Sequence, residues 1–79
     1  RAMDRRAWTA AFTAAYEAFG RAVTDGAEAE LDPYGAETPA EFFAVMSEDF
    51  FVRPWLLGRR YPAVYRQLAA FYRQDLLGG

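Results

Sequence analysis

The stretch TPAEFFAVMSEDFF, residues 38–51, decides the fold, because a helix start is followed at once by apolar side chains. Thr38 is a capping residue, Pro39 suits the first helical position, and Glu41 stands at the third. The apolar residues point to several sides of a helix: Phe42, Phe43, Val45, Met46, Phe50 and Phe51. This pattern predicts a helix at about residues 39–52 that is buried on most of its circumference.

Two further helices flank this one. Upstream, apolar residues recur every three or four positions between Asp4, which can cap a helix, and Gly26, which suits a left-handed helix end. This spacing predicts a helix at about residues 5–25. Downstream, Pro54 ends the central helix and opens a short helical turn, and another apolar stripe predicts a helix at about residues 62–77. Since no stretch alternates with period two, the fold class is all-α, with three main helices and a short turn.

Composition limits what the chain can do alone. With 79 residues it is at most one small domain or part of one. Hydrophobic residues make up 53% and charged residues 25%, a balance typical of globular proteins. The sequence contains no His and no Cys. This excludes a Ser-His-Asp triad, a Cys nucleophile, and any imidazole or thiolate metal site built from this chain by itself.

Charge is distributed unevenly along the chain. Residues 22–52 hold eight acidic residues and no basic one, within a net charge of −2. An acidic middle argues against a nucleic-acid partner and leaves room for a cation. A basic and aromatic group near the C-terminus could stack on bases, but a solvated rim is the favoured interpretation: Arg59, Arg60, Arg66 and Arg73. The apolar runs are too short to span a membrane, and no signal layout opens the chain, so we expect a cytoplasmic protein.

The acidic loop at residues 26–37 contains a tight-turn sequence, Asp32-Pro33-Tyr34-Gly35. Glu41, just beyond it, has two interpretations. It can form a capping box with Thr38, which the spacing alone favours. It can instead be the third ligand of a zinc ion, provided that two imidazoles arrive from elsewhere. Tyr34, from its position alone, is a turn residue packing on the surface.

The segment LDPYGAETPAEFFAVMSEDFF, residues 31–51, followed by RRYPAVYRQLAAFYRQD, residues 59–75, resembles the C-terminal region of the Mlc titration factor A family. That family consists of bacterial zinc-dependent peptidases, gluzincin-like and related in their catalytic domain to anthrax lethal factor. The resemblance covers essentially all of the chain and is most specific from Asp32 to Phe51.

The resemblance implies roles for two residues. In such peptidases two His of an H-E-x-x-H helix and a downstream Glu hold the zinc, and this Glu matches Glu41. A Tyr seven residues earlier stabilises the transition state, and it matches Tyr34. The implied substrates are short peptides attacked from the N-terminus, and the implied partner, held weakly, is the Mlc repressor. Glu48 could support the site, although a solvated carboxylate is the simpler interpretation.

The departure from the family pattern is the absence of H-E-x-x-H. Because the first residue is Arg1, we expect the trailing part of a longer peptidase, separated from its front by design or by proteolysis. Alone it should bind no zinc and catalyse nothing. We also expect it to associate with copies of itself through the uncovered apolar faces of the central helix, with the loop at residues 26–37 as a hinge. The alternative is a non-catalytic helical interaction module, which an H-E-x-x-H motif upstream in the intact gene product would exclude.

Overall fold

A computed structural model describes residues 4–76, with side chains given for residues 4–73. All regular secondary structure in this part of the chain is helical and it contains no strand, so the all-α prediction is confirmed. None of its helices is long and apolar enough to cross a membrane. The elements follow one another in the order α1 (Arg5–Thr24), a 3₁₀ turn (Pro33–Ala36), α2 (Pro39–Val52), α3 (Pro54–Arg60) and α4 (Pro62–Leu76).

Local signals explain where the first two helices begin and end. Asp4 Oδ1 accepts hydrogen bonds from the backbone N–H groups of Arg6 and Ala7, at 2.9 and 3.2 Å, and so caps α1. Gly26, just past α1, has φ = 73°, a conformation that only glycine adopts at low cost. At the start of α2, Thr38 Oγ1 accepts from the Glu41 N–H at 3.1 Å.

The C-terminal half differs from the sequence prediction in one respect. The segment that begins at Pro54 is a seven-residue helix, α3, and extends to Arg60 instead of ending after one turn. Its extension is stabilised by apolar side chains on one side, since Leu56 and Leu57 are both buried. The last helix begins at Pro62 as predicted, whereas its predicted end at residue 77 lies outside the described residues.

The core forms around α2. Phe42 of α2 meets Phe12 and Phe19 of α1 at ring-centroid distances of 6.1 and 5.6 Å. From the other side, α3 and α4 contribute aliphatic side chains, and the Tyr72 hydroxyl of α4 donates to Ser47 Oγ at 3.1 Å. The fully enclosed set is Ala15, Phe19, Leu31, Phe42, Val45, Met46, Leu56, Leu57, Val64 and Leu68.

The prediction that the apolar faces of α2 lack cover is wrong for most of its residues. Of the six large apolar side chains that motivated it, five are buried or half-buried by the chain itself, and only Phe51 is exposed. The cover comes from α1, α3 and α4, whose stripes all turn toward α2. Self-association therefore loses most of its expected driving force and stays a prediction, to be tested by sedimentation at micromolar concentration.

The loop before α2 makes ion pairs with α3, and its role as a hinge at residues 26–37 stays a prediction. Arg60 pairs with Glu28 at 2.6 Å and with Glu30 at 2.8 Å, and Arg59 pairs with Glu30 at 3.1 Å. The acidic loop folds back on the C-terminal end of α3 because opposite charges meet there. The interpretation as a solvated rim is therefore wrong for Arg60, whose side chain is 24% exposed, whereas Arg59 is 61% exposed and agrees with it.

Candidate metal and catalytic site

The 3₁₀ turn presents Tyr34 to solvent on a fixed backbone. Asp32 Oδ1 accepts a hydrogen bond from the Tyr34 N–H at 3.0 Å, and the Asp32 carbonyl accepts from the Gly35 N–H at 3.1 Å. Pro33 between them restricts the backbone further. The Tyr34 side chain is 55% exposed, so the turn fixes where the side chain starts while leaving the phenol accessible.

The turn is seated against two helices through Gly35. A Cβ atom at this position would lie 3.3 Å from Phe19 Cε2 and 3.3 Å from Val45 Cβ, so a side chain here would require these neighbours to shift by a few tenths of an ångström. The Tyr16 hydroxyl of α1 adds a hydrogen bond to the Ala36 carbonyl at 3.2 Å. These contacts hold the turn beside the first turn of α2, where Glu41 is located.

The structure brings the two predicted site residues together. Tyr34 Oη donates a hydrogen bond to Glu41 Oε2 at 3.2 Å. Among the described residues this is the one hydrogen bond that the Glu41 carboxylate makes, so only the Thr38 half of the predicted capping box forms. Glu41 is half-buried, and its carboxylate turns toward the phenol instead of back to the Thr38 N–H.

Electrostatics keep the phenol protonated. The pKa of Tyr34 is raised above its usual 10.0, first because its hydroxyl donates to Glu41 and then because the negative charge of Glu41 opposes ionisation. Burial and the charges of Glu37 and Asp32 act in the same direction. At neutral pH the pair is thus a neutral hydrogen-bond donor next to a carboxylate.

A metal ion would find only part of a site here. Within residues 4–76 no three acidic side chains come close enough together to hold a metal ion. The Glu41 carboxylate fits as one ligand, since one of its oxygens is held by Tyr34 and the other makes no hydrogen bond to the described residues. Zinc takes carboxylate oxygen together with nitrogen or sulfur ligands, and the sequence has neither His nor Cys.

Much of the side of α2 that carries Glu41 is open to solvent, although Val45, four residues further on, is buried. Positions three, seven, ten and eleven residues after Glu41 share its side of the helix, and all four are exposed. We call these residues the open face: Ala44, Glu48, Phe51 and Val52. Phe51 and Val52 are 56% and 60% exposed, and Trp55, at the start of α3, is 69% exposed. Clustered apolar exposure of this kind marks interaction surfaces.

Two acidic residues gain a definite position from the structure. Glu48, considered as a support for the site, is exposed and shares no hydrogen bond with Glu41. Glu28, which sequence reasoning did not single out, is enclosed by Arg60 and two backbone N–H groups. No local pattern predicts this contact, because Glu28 and Arg60 lie 32 residues apart.

Comparison with known proteins places the chain among the metallopeptidases. Residues 1–73 match a family described as glucose-regulated metallo-peptidase M90. The chain belongs to this family.

Three of its relatives share one name. Mlc titration factor A of Edwardsiella ictaluri (strain 93-146) is 53% identical over 73 residues, which cover 90% of this chain and 28% of the relative. The proteins of the same name from Yersinia enterocolitica and Yersinia pestis (strain Pestoides F) are each 57% identical over 49 residues, 62% of this chain and 18% of the relative. The resemblance found in the sequence is confirmed, and the chain spans less than a third of these relatives. No solved structure matches it.

Proposed function

We propose that this chain is the part of a zinc metallopeptidase that supplies one zinc ligand, Glu41, and a tyrosine that stabilises the transition state, Tyr34. The observation that carries the proposal is the 3.2 Å hydrogen bond between Tyr34 Oη and Glu41 Oε2. It places a potential ligand and a protonated donor beside each other on an accessible surface. Membership of a metallopeptidase family supports the requirement for a metal.

The two residues have distinct tasks in this proposal. Zinc, when bound, polarises the scissile carbonyl and lowers the pKa of water. Glu41 contributes negative charge from the first turn of a helix whose backbone is rigid, and Tyr34 keeps one oxygen of that carboxylate oriented. The phenol carries a single proton, which it donates to Glu41 in the structure, and in the reaction the same hydroxyl would turn to the oxygen on which charge develops.

The open face supports a contribution from outside these 79 residues. The chain has no His, so nitrogen ligands must come from another segment. The open face lies on the same side of α2 as Glu41 and ends in the exposed Phe51 and Val52. A helix with an H-E-x-x-H motif, which supplies two ligands and the general base, would bury that apolar surface as it approached Glu41.

The substrate and the partners are coarser proposals. A peptide substrate is proposed from the family. Cleavage of short peptides from their N-terminus is proposed only from the sequence resemblance. The relatives' name refers to Mlc, and a link between this chain and the Mlc repressor has no described residue assigned to it. By itself the chain should bind zinc weakly and hydrolyse no peptide. Calorimetric titration with zinc tests this, and a stoichiometric site of micromolar affinity would contradict it.

Glu41→Gln is the sharper test of the metal role. In the intact gene product that contains this segment, we expect the substitution to lower bound zinc and peptidase activity together, because a neutral amide is a poor zinc ligand. Glu17→Gln, which neutralises an exposed carboxylate on α1, is the matched control and should leave both unchanged. Full zinc content and full activity in Glu41→Gln would reduce Glu41 to a helix-start residue.

Tyr34→Phe separates catalysis from metal binding. We expect bound zinc to be retained and kcat to fall roughly tenfold to a thousandfold, the usual cost of losing one donor to a developing oxyanion. Tyr65→Phe, which removes a phenol hydroxyl on α4 away from this turn, is the control. An unchanged kcat in Tyr34→Phe would remove Tyr34 from the mechanism.

The second candidate is a non-catalytic helical interaction module, favoured by the 69% exposure of Trp55 and by the open face beside it. The two candidates differ in what surrounds this segment. An H-E-x-x-H motif in the intact gene product supports the peptidase, and its absence from that product supports the module.

A further inference from the structure

The loop that leads to Tyr34 is organised by a single enclosed carboxylate. The Glu28 side chain is only 1% exposed. Its Oε2 accepts hydrogen bonds from the backbone N–H groups of Glu30 and Leu31, at 2.9 and 2.8 Å. Glu28 thereby shapes the backbone that enters the 3₁₀ turn, and the Leu31 side chain anchors it in the core.

Arg60 compensates the cost of burying the Glu28 carboxylate. Its Nη2 binds Glu28 Oε1 at 2.6 Å, its Nη1 reaches Glu28 Oε2 at 3.3 Å, and Nη1 also binds Glu30 Oε1 at 2.8 Å. A carboxylate enclosed without a counter-charge is strongly unfavourable. A planar guanidinium can satisfy both carboxylates at once, which a lysine ammonium cannot do with the same geometry.

The connection continues to Tyr34 over a short distance. Asp32 directly follows Leu31, and its Oδ1 accepts from the Tyr34 N–H at 3.0 Å. The leading side of the turn is therefore set by Arg60 through Glu28, while Gly35 sets its trailing side. Arg53 contributes a weaker contact, from Nη2 to the Glu30 carbonyl at 3.3 Å.

We infer that Arg60 is a positioning residue for Tyr34, acting through Glu28 and the loop backbone to hold the phenol against Glu41. This inference rests on the proposed function, because position matters only if Tyr34 takes part in the reaction. Arg60 touches neither Tyr34 nor Glu41 and lies at the opposite end of the loop's hydrogen-bond chain.

Amide hydrogen exchange in the 79-residue chain tests the geometric step. In Arg60→Gln we expect exchange of the Leu31 and Tyr34 amides to accelerate roughly ten- to hundredfold, the cost of weakened hydrogen bonds to a charged group. Amides in the middle of α1 and α4 should keep their rates. The NMR cross-peak between the Tyr34 ring and the Glu41 side chain should weaken as well.

Matched variants separate positioning from a general loss of stability. Arg59→Gln removes only an exposed pair with Glu30 and should leave the Tyr34 amide unchanged. Glu28→Gln keeps an oxygen for the two backbone N–H groups while removing the charge, so it should accelerate exchange of the same amides less than Arg60→Gln does. It replaces Arg60→Gln as the test if Arg60→Gln fails to fold. Arg60→Lys keeps the positive charge, so the Leu31 and Tyr34 amides should exchange more slowly in it than in Arg60→Gln. Uniform acceleration of all amides, or protection of Tyr34 that survives both Arg60→Gln and Glu28→Gln, would overturn the inference.

The functional step uses the intact gene product. Arg60→Gln should lower kcat severalfold with an unchanged KM and retained zinc, since a displaced phenol loses contact with the transition state and not with the bound substrate. An unchanged kcat, when Tyr34→Phe lowers it, would defeat the inference and leave the proposed function standing. An unchanged kcat in Tyr34→Phe itself would defeat the proposed function, whatever the exchange rates show.

Discussion

The acidic side chains on the two sides of α2 differ in how they are paired. On the closed side, Asp49 is buried and receives two hydrogen bonds from Arg53, at 2.8 and 3.0 Å. Among the described side chains, no buried nitrogen or oxygen atom lacks a partner. On the other side, the Glu41 carboxylate is held by one exposed phenol, and the residues of the open face are exposed, although the Phe51 ring also packs on Tyr72 at a centroid distance of 4.8 Å.

This difference indicates which groups are available for chemistry. A carboxylate that is neutralised within the chain, such as Asp49 or Glu28, serves the fold, because removing its partner would leave a charge in an unfavourable place. Glu41 has no basic partner among the described residues, so its charge is free to meet a cation. Within the described residues the helices share one core, and Glu41 lies outside it with its charge unpaired by any basic side chain.

The largest expected effect contrasts the apolar side chains of the two sides. Phe42 is 1% exposed, and Phe42→Ala should lower the free energy of unfolding by about 3–5 kcal/mol, as for other buried phenylalanines. Phe51→Ala, which trims a mostly exposed ring, should cost less than about 1 kcal/mol. Urea unfolding followed by circular dichroism measures both.

Equal losses for Phe42→Ala and Phe51→Ala would break the comparison. They would mean that the open face is covered in solution, for example by a second copy of the chain. Repeating the measurement at several protein concentrations detects this case, because stability that depends on association rises with concentration.

A smaller effect concerns how the free energy of unfolding depends on pH. Burial raises the pKa of Glu28, but hydrogen bonds from Arg60 and from the Leu31 and Glu30 N–H groups outweigh it, so the pKa lies below its ordinary 4.5. A depressed carboxyl pKa contributes stability that is fully present above the ordinary value and is lost as pH falls through the lowered one. Wild-type unfolding free energy should therefore decline from about pH 5 downward, and Glu28→Gln should decline less steeply.

Glu48→Gln provides the control for this acid response, since it removes an exposed carboxylate from the open face. The measurement is the unfolding free energy at intervals from neutral pH to about pH 3, which spans the range in which carboxylates are protonated. If Glu28→Gln and the wild type lose stability in parallel, the pair with Arg60 does not stabilise the fold through its charge.

Local signals made much of this structure predictable. The helices follow from caps at Asp4 and Thr38, from prolines at helix starts and from stripes of period 3.6. Tyr34 and Glu41 were singled out by the family resemblance, whereas local spacing alone favoured a surface turn residue and a capping residue. The caps and the stripes depend on residues that are close in sequence.

The ion pair between Glu28 and Arg60 and the packing of the helices on α2 were not predictable, because both join residues that are far apart in sequence. Glu28 and Arg60 meet across 32 residues, and composition shows only that acids and arginines occupy different parts of the chain. The apolar stripes of α1 and α4 were visible, but periodicity does not say which helix a stripe will cover. Hence α2 was expected to lack cover that Phe19 and Leu68 in fact provide.

The smallest expected effect concerns the pair itself. Glu41 raises the pKa of Tyr34 above 10.0, both as a hydrogen-bond acceptor and as a negative charge. Glu41→Gln keeps an acceptor and removes the charge, so it should lower the Tyr34 pKa toward its ordinary value without a measurable change in stability. NMR titration of the Tyr34 ring carbon bonded to the hydroxyl resolves this residue from the other four tyrosines.

Glu37→Gln is the matched control and should shift the pKa less, because Glu37 acts on Tyr34 through charge alone. Equal shifts in the two variants would mean that the phenol responds to the acidic surroundings in general. The contact with Glu41 would then be too transient in solution to orient either residue, and the contrast between the two sides of α2 would rest on the apolar residues alone.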